Sequence, residues 1–382
     1  MKARAVLLLA LMVGACATTP PAPPSQLLND HLFAAPSERI SADDVFALSD
    51  DMKRYLAEEI DGRPLGRGGR QGLVDALYHR GQLKLEYDSV MTRNAAQAFA
   101  DRAGNCLSLV IMTAAFAKAM DLPVRFQSVA SDDTVARSGD IHFFVSHVNL
   151  ALGSKPVEWG FQRGRSDEIT VDFLPAQQAG AQRTRPVREE MIVAMYMNNR
   201  AAEALVGGRL DDAYAWARAA IIEEPSFLSA HNTLGVVYQR HGDLAQAEAA
   251  YAYILEREPG NTRVMANQVR LLGARGRVAD AASLAAKLAQ LEPNPPFSLF
   301  ERGRAAMRAG DFRTARDAFA SEVERAPYYH EFRYWLASAH AALGETERAR
   351  KELATALEYS SSRSEHDLYA AKLDRIRASA LH

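Results

Sequence analysis

Apolar residues recur at helical spacing in SADDVFALSDDMKRYLAEEI, RQGLVDALYHR and RNAAQAFADR, which predicts three helices ahead of Gly104. Ser41 precedes the first as a candidate N-cap. Gly104 interrupts the third helix, and Asn105 is placed to cap a fourth. That helix runs through LSLVIMTAAFAKAM with a broad apolar face until Asp121-Leu122-Pro123 stops it. Three strand-like runs follow: VRFQSV (124–129), IHFFVSHVNLAL (141–152) and ITVDFL (169–174). Helices first and strands after them predict an α+β domain with an antiparallel sheet over residues 42–192.

Beyond that segment the pattern becomes a strict repeat. Pro225, Pro259, Pro293 and Pro327 are each 34 residues apart. The same step separates Gly208, Gly242, Gly276, Gly310 and Gly344, and also Ala213, Ala247, Ala281, Ala315 and Ala349. Each proline ends a helix, because it lacks an N–H and clashes with the preceding turn. Each glycine falls in a tight turn, and each alanine where close helix contact admits only a methyl group. The fullest copy carries Leu234, Gly235, Tyr238, Gly242, Ala247, Tyr251 and Pro259.

This pattern resembles the tetratricopeptide repeat, which implies an all-α solenoid of five repeats over residues 193–363. Residues 364–382 read as a capping helix with Leu368, Ala371, Leu373 and Ile376 as its apolar side. The resemblance implies a protein or peptide partner in a concave groove. The expected groove positions are Asn198, Asn232, Gln239, Arg263, Arg270, Phe300, Arg304 and Tyr334. No dense cluster of Lys and Arg marks a carboxylate clamp.

The first residues follow a different logic. Lys2 and Arg4 precede the apolar run AVLLLALMVGA and then Cys16, the layout of a secretory signal over residues 1–15. The run is too short for a bilayer span, which needs about 20 residues. VGAC resembles a bacterial lipobox, which implies cleavage before Cys16 and its acylation. The absence of Asp at position 17 implies an outer-membrane anchor facing the periplasm. Residues 16–41 begin with a proline-rich, extended tether.

A net charge of −2 leaves no basic excess for nucleic acid, and RGGR at 67–70 reads as a loop. There is no Walker loop, CxxC, HExxH or dinucleotide fingerprint, so the sequence implies neither a metal nor another cofactor. Acidic pairs at 43–44, 50–51 and 211–212 read as helix-end charges or solvated faces, and His241 and His330 as surface residues.

The chain has two cysteines, and acylation of Cys16 would leave Cys106 alone at the first turn of a helix. Free N–H groups and the helix dipole there favour a thiolate and an oxyanion. A base is still needed. On one regular strand His142 and His147 would face opposite ways, which argues against a two-His metal pair. Asn149 would share the face of His147. Asp172, among apolar neighbours, needs a partner, and His147 is the candidate.

RAGNCLSLVIMTAAFAKAMDLPVRF resembles the nucleophile segment of bacterial transglutaminase-like domains, in the papain-like thiol superfamily. The order Cys on a helix, His on a strand and Asp on the next strand is matched by Cys106, His147 and Asp172. The resemblance implies a nucleophile, a base that then acts as acid, and an orienting carboxylate. Asn105 is an oxyanion candidate. The gap from His to Asp is longer than in compact members. It contains Trp159, a second oxyanion candidate whose plainer reading is local packing. The implied chemistry is an acyl-thioester formed from an amide bond. Water resolves it (protease or amidase) ahead of an amine (transamidase). The alternative is a scaffold that has kept the fold and lost activity.

Overall fold

The computed structural model describes residues 25–61, 69–79, 83, 85–89, 91–130, 134–138, 141–145, 147–153, 168–173 and 183–379. Its first half is a mixed α/β region with a small antiparallel sheet, and an all-α array of paired helices follows.

Helix α1 (Asp50–Tyr55) starts later than its sequence predicts. Ser49, not Ser41, is the N-cap, its hydroxyl accepting the Met52 N–H at 3.2 Å. Residues 42–45 form a lone turn, and Asp50 and Asp51 supply the acidic first turn that suits a helix start. Helix α2 (Arg70–Val74) and strand β1 (Glu86–Tyr87) follow. Helix α3 (Ala95–Asp101) opens with a capping box between Asn94 and Gln97.

Strand β2 (Ala103–Gly104) pairs in parallel with β1 and leads directly into α4 (Cys106–Ala119). A Cβ on Gly104 would stand 2.7 Å from the Ser108 side chain, so only glycine lets β2 approach the helix this closely.

The strands are β3 (Val124–Ala130), β4 (Thr134–Ser138), β5 (Ile141–Val145), β6 (Val148–Leu152), β7 (Ile169–Val171) and β8 (Arg183–Val187). The main sheet has the order β7-β6-β3-β8, all antiparallel. The run 141–152 is therefore two strands. Its first part pairs with β4 in a separate ribbon, and only its second part enters the main sheet. Two strands escape the sequence pattern because they are polar: TVARS, and RTRPV with Pro186 inside it. Pro186 is tolerated because β8 is an edge strand, where a missing N–H breaks no ladder. Phe126, Val148, Leu150 and Leu152 join the buried side of α4 in one core.

The array consists of five helix pairs. They are α5 (Glu189–Val206) with α6 (Leu210–Glu223), α7 (Leu228–His241) with α8 (Leu244–Arg257), and α9 (Thr262–Ala274) with α10 (Val278–Leu291). The last two are α11 (Ser298–Arg308) with α12 (Phe312–Arg325), and α13 (His330–Ala342) with α14 (Thr346–Glu358). A final helix, α15 (Arg363–Ser379), packs on α14. It buries Tyr369 and Leu373 against Leu353 and Ala356, whereas Leu368, expected on that side, is exposed. The five periodic glycines all have positive φ, as the turns require.

The core is continuous from Leu27 in the leading segment, through α4 and the sheet, to Leu271 in α9. Two smaller clusters serve the later repeats, one around Phe300 and Phe319, the other around Leu353. Between these blocks α10 buries none of its residues, and Val278 is 71% exposed.

The leading segment lies along α6 and α7. Phe33 stacks on Tyr214 with ring centroids 4.1 Å apart. The Ser37 N–H and hydroxyl donate to Asp212 at 2.6 and 2.7 Å. The Tyr238 hydroxyl donates to the Leu27 carbonyl at 2.7 Å. Asp212 stands in the first turn of α6, as its helix-end reading has it, and is a buried anchor, so of the two alternatives the solvated face does not hold for it.

Candidate functional site

Helix α4 begins at Cys106 because Asn105 caps it, its Oδ1 accepting the Ser108 N–H and hydroxyl, each at 2.9 Å. The Asn105 Nδ2 donates to Thr92 Oγ1 at 2.9 Å. The carboxamide oxygen thus serves the cap, and one of the two Nδ2 N–H groups goes to Thr92. Thr92 is held in turn by the array: its N–H donates to Glu203 Oε1 at 2.6 Å, and Asn199 Nδ2 donates to its hydroxyl at 3.2 Å. Burial pushes the Glu203 carboxyl above its ordinary value, while Thr92 and Arg200 pull the other way.

Cys106 is 4% exposed, with its side chain against the ring of His147. His147 immediately precedes β6 and is 6% exposed. Its Nε2 lies 2.7 Å from Asp172 Oδ1. Asp172 stands one residue past the end of β7, not inside a strand. There Asn149 Nδ2 donates to its second oxygen at 2.8 Å. Burial works against a charged His147, but hydrogen bonds to Asp172 and Cys106 outweigh it and push the imidazole up to about 9.

Three of the sequence-derived residues, Cys106, His147 and Asp172, are therefore neighbours. His142 belongs to the separate β4–β5 ribbon. Cys16 and Trp159 lie outside the described residues. Two further residues carry weak sequence signals. Asn149 sits two positions from His147, and its amide steadies the Asp172 carboxylate. Tyr87, in a two-residue strand with no periodicity, has its hydroxyl on the Cys106 backbone N–H.

The expected groove residues divide. Asn198, Asn232 and Arg263 line a cleft of about 330 Å3 between the array and the sheet. Gln239 accepts the Tyr251 hydroxyl at 3.0 Å, and Arg270 donates to Asn267. Phe300 is fully buried in an aromatic cluster with Phe297, Phe319 and Phe332, so it is a core residue and not a groove residue. Arg304 lies over the Phe300 and Trp335 rings, and Tyr334 stacks on Tyr369 at 5.0 Å. His330 is not on the surface either: it bridges Tyr369 and Ser361, 3.0 Å from each hydroxyl. Among the described residues no cluster of three His, Cys, Asp or Glu is placed for a metal, and no helix is long and apolar enough to cross a membrane.

The tetratricopeptide repeat family matches residues 232–296 and 300–364, so the second half of the chain is an array of these repeats. Solved structures similar to it include PilF of Pseudomonas aeruginosa (18% identity, 50% of this chain and 87% of that one, TM-score 0.30). Another is YrrB, described as a TPR protein with an unusual peptide-binding site (20% identity, 47% and 92%, TM-score 0.25). A third is a thermophilic TPR protein of Thermus thermophilus (18% identity, 47% and 98%, TM-score 0.29). No curated protein matches the chain. Such repeats bind proteins and peptides.

Proposed function

We propose that this chain is a cysteine-dependent acyl-transfer enzyme of the transglutaminase-like, papain-like class, joined to a peptide-binding array. The observation that carries this reading is the imidazole of His147, which meets Cys106 on one side and Asp172 at 2.7 Å on the other. In this reading the Cys106 thiolate attacks an amide carbonyl and a C–S bond forms. The C–N bond then breaks as His147 gives its proton to the leaving amine. His147, now neutral, takes a proton from water, which cleaves the thioester and restores the thiol. An amine in place of water gives transamidation. Hydrolysis leads, since water is the default acceptor. The signal-like start and Cys16 support export and lipid anchoring at a bacterial outer membrane, facing the periplasm. Peptide or peptidoglycan amides are substrates consistent with that location.

One observation favours the scaffold reading. The Tyr87 hydroxyl already takes the Cys106 N–H, the donor an oxyanion would need. The deciding measurement is the alkylation rate of Cys106 against pH, followed by mass spectrometry in wild type and His147→Ala. The enzyme reading expects rapid modification already at about pH 6, slowed at least ~10-fold in the variant. A thiol that reacts only after unfolding, alike in both proteins, would mean a scaffold.

A further inference from the structure

We propose that Thr92, gripped by Glu203 and Asn199 of α5, is a positioning residue for Cys106, so that the first helix of the array completes the reactive site. This deepens the acyl-transfer reading and rests on it.

The body of α4 is fixed by its apolar side chains in the core. Its first turn is another matter, because helix ends fray and Cys106 is the first residue of the helix. Where the thiol stands against His147 therefore depends on what holds that turn. A ring of hydrogen bonds does so. Asn105 Oδ1 accepts the Ser108 N–H and hydroxyl, each at 2.9 Å. Ser108 Oγ accepts the Arg93 N–H at 2.8 Å. Arg93 adjoins Thr92, and Thr92 Oγ1 accepts from Asn105 Nδ2 at 2.9 Å, which closes the ring. The stretch Asn105-Cys106-Leu107-Ser108 is one side of it. Ser108 is fully buried and Thr92 is 2% exposed, so water does not stand in for these bonds.

The direction of each bond follows from counting donors. A backbone N–H can only donate, so the Ser108 N–H fixes which end of the Asn105 carboxamide is the oxygen, and the nitrogen is left facing Thr92. A hydroxyl has one hydrogen and two lone pairs. Thr92 Oγ1 accepts from Asn105 and, at 3.2 Å, from Asn199 Nδ2, which uses both lone pairs. Its hydrogen goes to the Glu203 carboxyl, which also accepts the Thr92 N–H at 2.6 Å. Two residues of α5 thus hold Thr92 by backbone and side chain, and its hydroxyl cannot turn without breaking a bond to one of them.

The grip on the array side is itself braced. Arg200 donates to the other Glu203 oxygen at 3.1 Å, and to the two oxygens of Glu38 at 3.2 and 3.0 Å. Trp216 Nε1 donates to the same Glu38 at 2.8 Å. Glu38 belongs to the leading segment and Trp216 to α6, so the anchor of the thiol extends through the first helix pair. An array that served only as a tether would place no side chain of α5 at the start of α4.

The test uses the full chain and two readouts. One is the rate at which chloroacetamide alkylates Cys106 at about pH 7, followed by mass spectrometry. The other is the NMR titration of the His147 ring, which burial lowers and the contacts with Asp172 and Cys106 raise. Thr92→Val keeps the shape of the side chain and the backbone N–H to Glu203, and removes the hydroxyl. We expect it to slow alkylation about 10-fold, as a small misplacement of a reacting group does, and to lower the His147 titration. Thr92→Ser should restore both. Glu203→Gln, in the array, should act in the same direction as Thr92→Val. Thermal unfolding identifies the variants that fold. Wild-type rate and titration in folded Thr92→Val overturn the proposal, and so does Thr92→Ser behaving as Thr92→Val does. If neither Thr92→Val nor Glu203→Gln folds, Asn199→Ala decides, since it removes one partner of the hydroxyl and no charge. It should give a smaller slowing, and the wild-type rate there overturns the proposal. Failure of the acyl-transfer reading looks different. There wild-type Cys106 itself reacts only after unfolding, and no variant differs from it.

Discussion

His147 is the residue on which the site's electrostatics turn. Its folded value, about 9, lies above the ordinary 6.5, so protonation of the imidazole favours the folded chain. That contribution is complete below pH 6.5 and is lost as the pH rises through about 9. It is on the order of 1–3 kcal/mol after allowance for the coupled thiol. Urea unfolding between about pH 6 and pH 9.5 should show the decline, and Asp172→Asn should flatten it. In an NMR titration, the His147 ring of Asp172→Asn should move back towards the ordinary histidine value. Asn149→Ala should shift the same titration down by a smaller amount, because it frees the carboxylate to turn. The Cys, His and Asp were legible in the sequence because each is an odd residue in an apolar setting. Tyr87 and Thr92 were not, since they lie in a segment with no periodicity and act through partners distant in the chain.

At the scale of elements, the glycines separate into two physical types. Gly303 lets α11 close on α12, and a Cβ there would stand 2.6 Å from the ring of Phe319. Gly242 instead serves a turn, with φ of +102° and open space around it. Gly303→Ala should cost about 1–3 kcal/mol through overpacking. Gly242→Ala should cost about 1–2 kcal/mol through backbone strain alone. Thermal unfolding of both variants checks the order. The helix pairs were readable because turn, cap and packing demands recur every 34 residues. The sheet was readable only in its buried strands: β4 and β8 are polar and take their conformation from neighbours, not from their own pattern. The start of α1 was misplaced for a related reason, since two serines compete as caps and only the run after Ser49 is helical.

At the scale of the molecule, the core runs without a break from Leu27 to Leu271 and then stops. The first half and the early repeats should unfold as one unit, with the block from Phe297 onward as another. Denaturant titrations should therefore show two steps, and Phe300→Ala should move only the second. Limited proteolysis should cut first between Arg275 and Asn294, where α10 has no fully buried residue. Removing residues 25–40 should lower the first midpoint, because Tyr214, Tyr238 and Asp212 lose their partners. At the far end, the Ser89 N–H donates to the carbonyl of Ser361 at 3.1 Å, so the last repeat reaches back to the segment that carries Tyr87.

That return contact gives the unburied helix α10 a mechanical meaning. Among the described residues Ser89 donates to the Ser361 carbonyl through its N–H and its hydroxyl, so the far end of the array closes a loop on the first half, with α10 between its ends. Pulling the two ends apart would spend its work at α10 and at that contact.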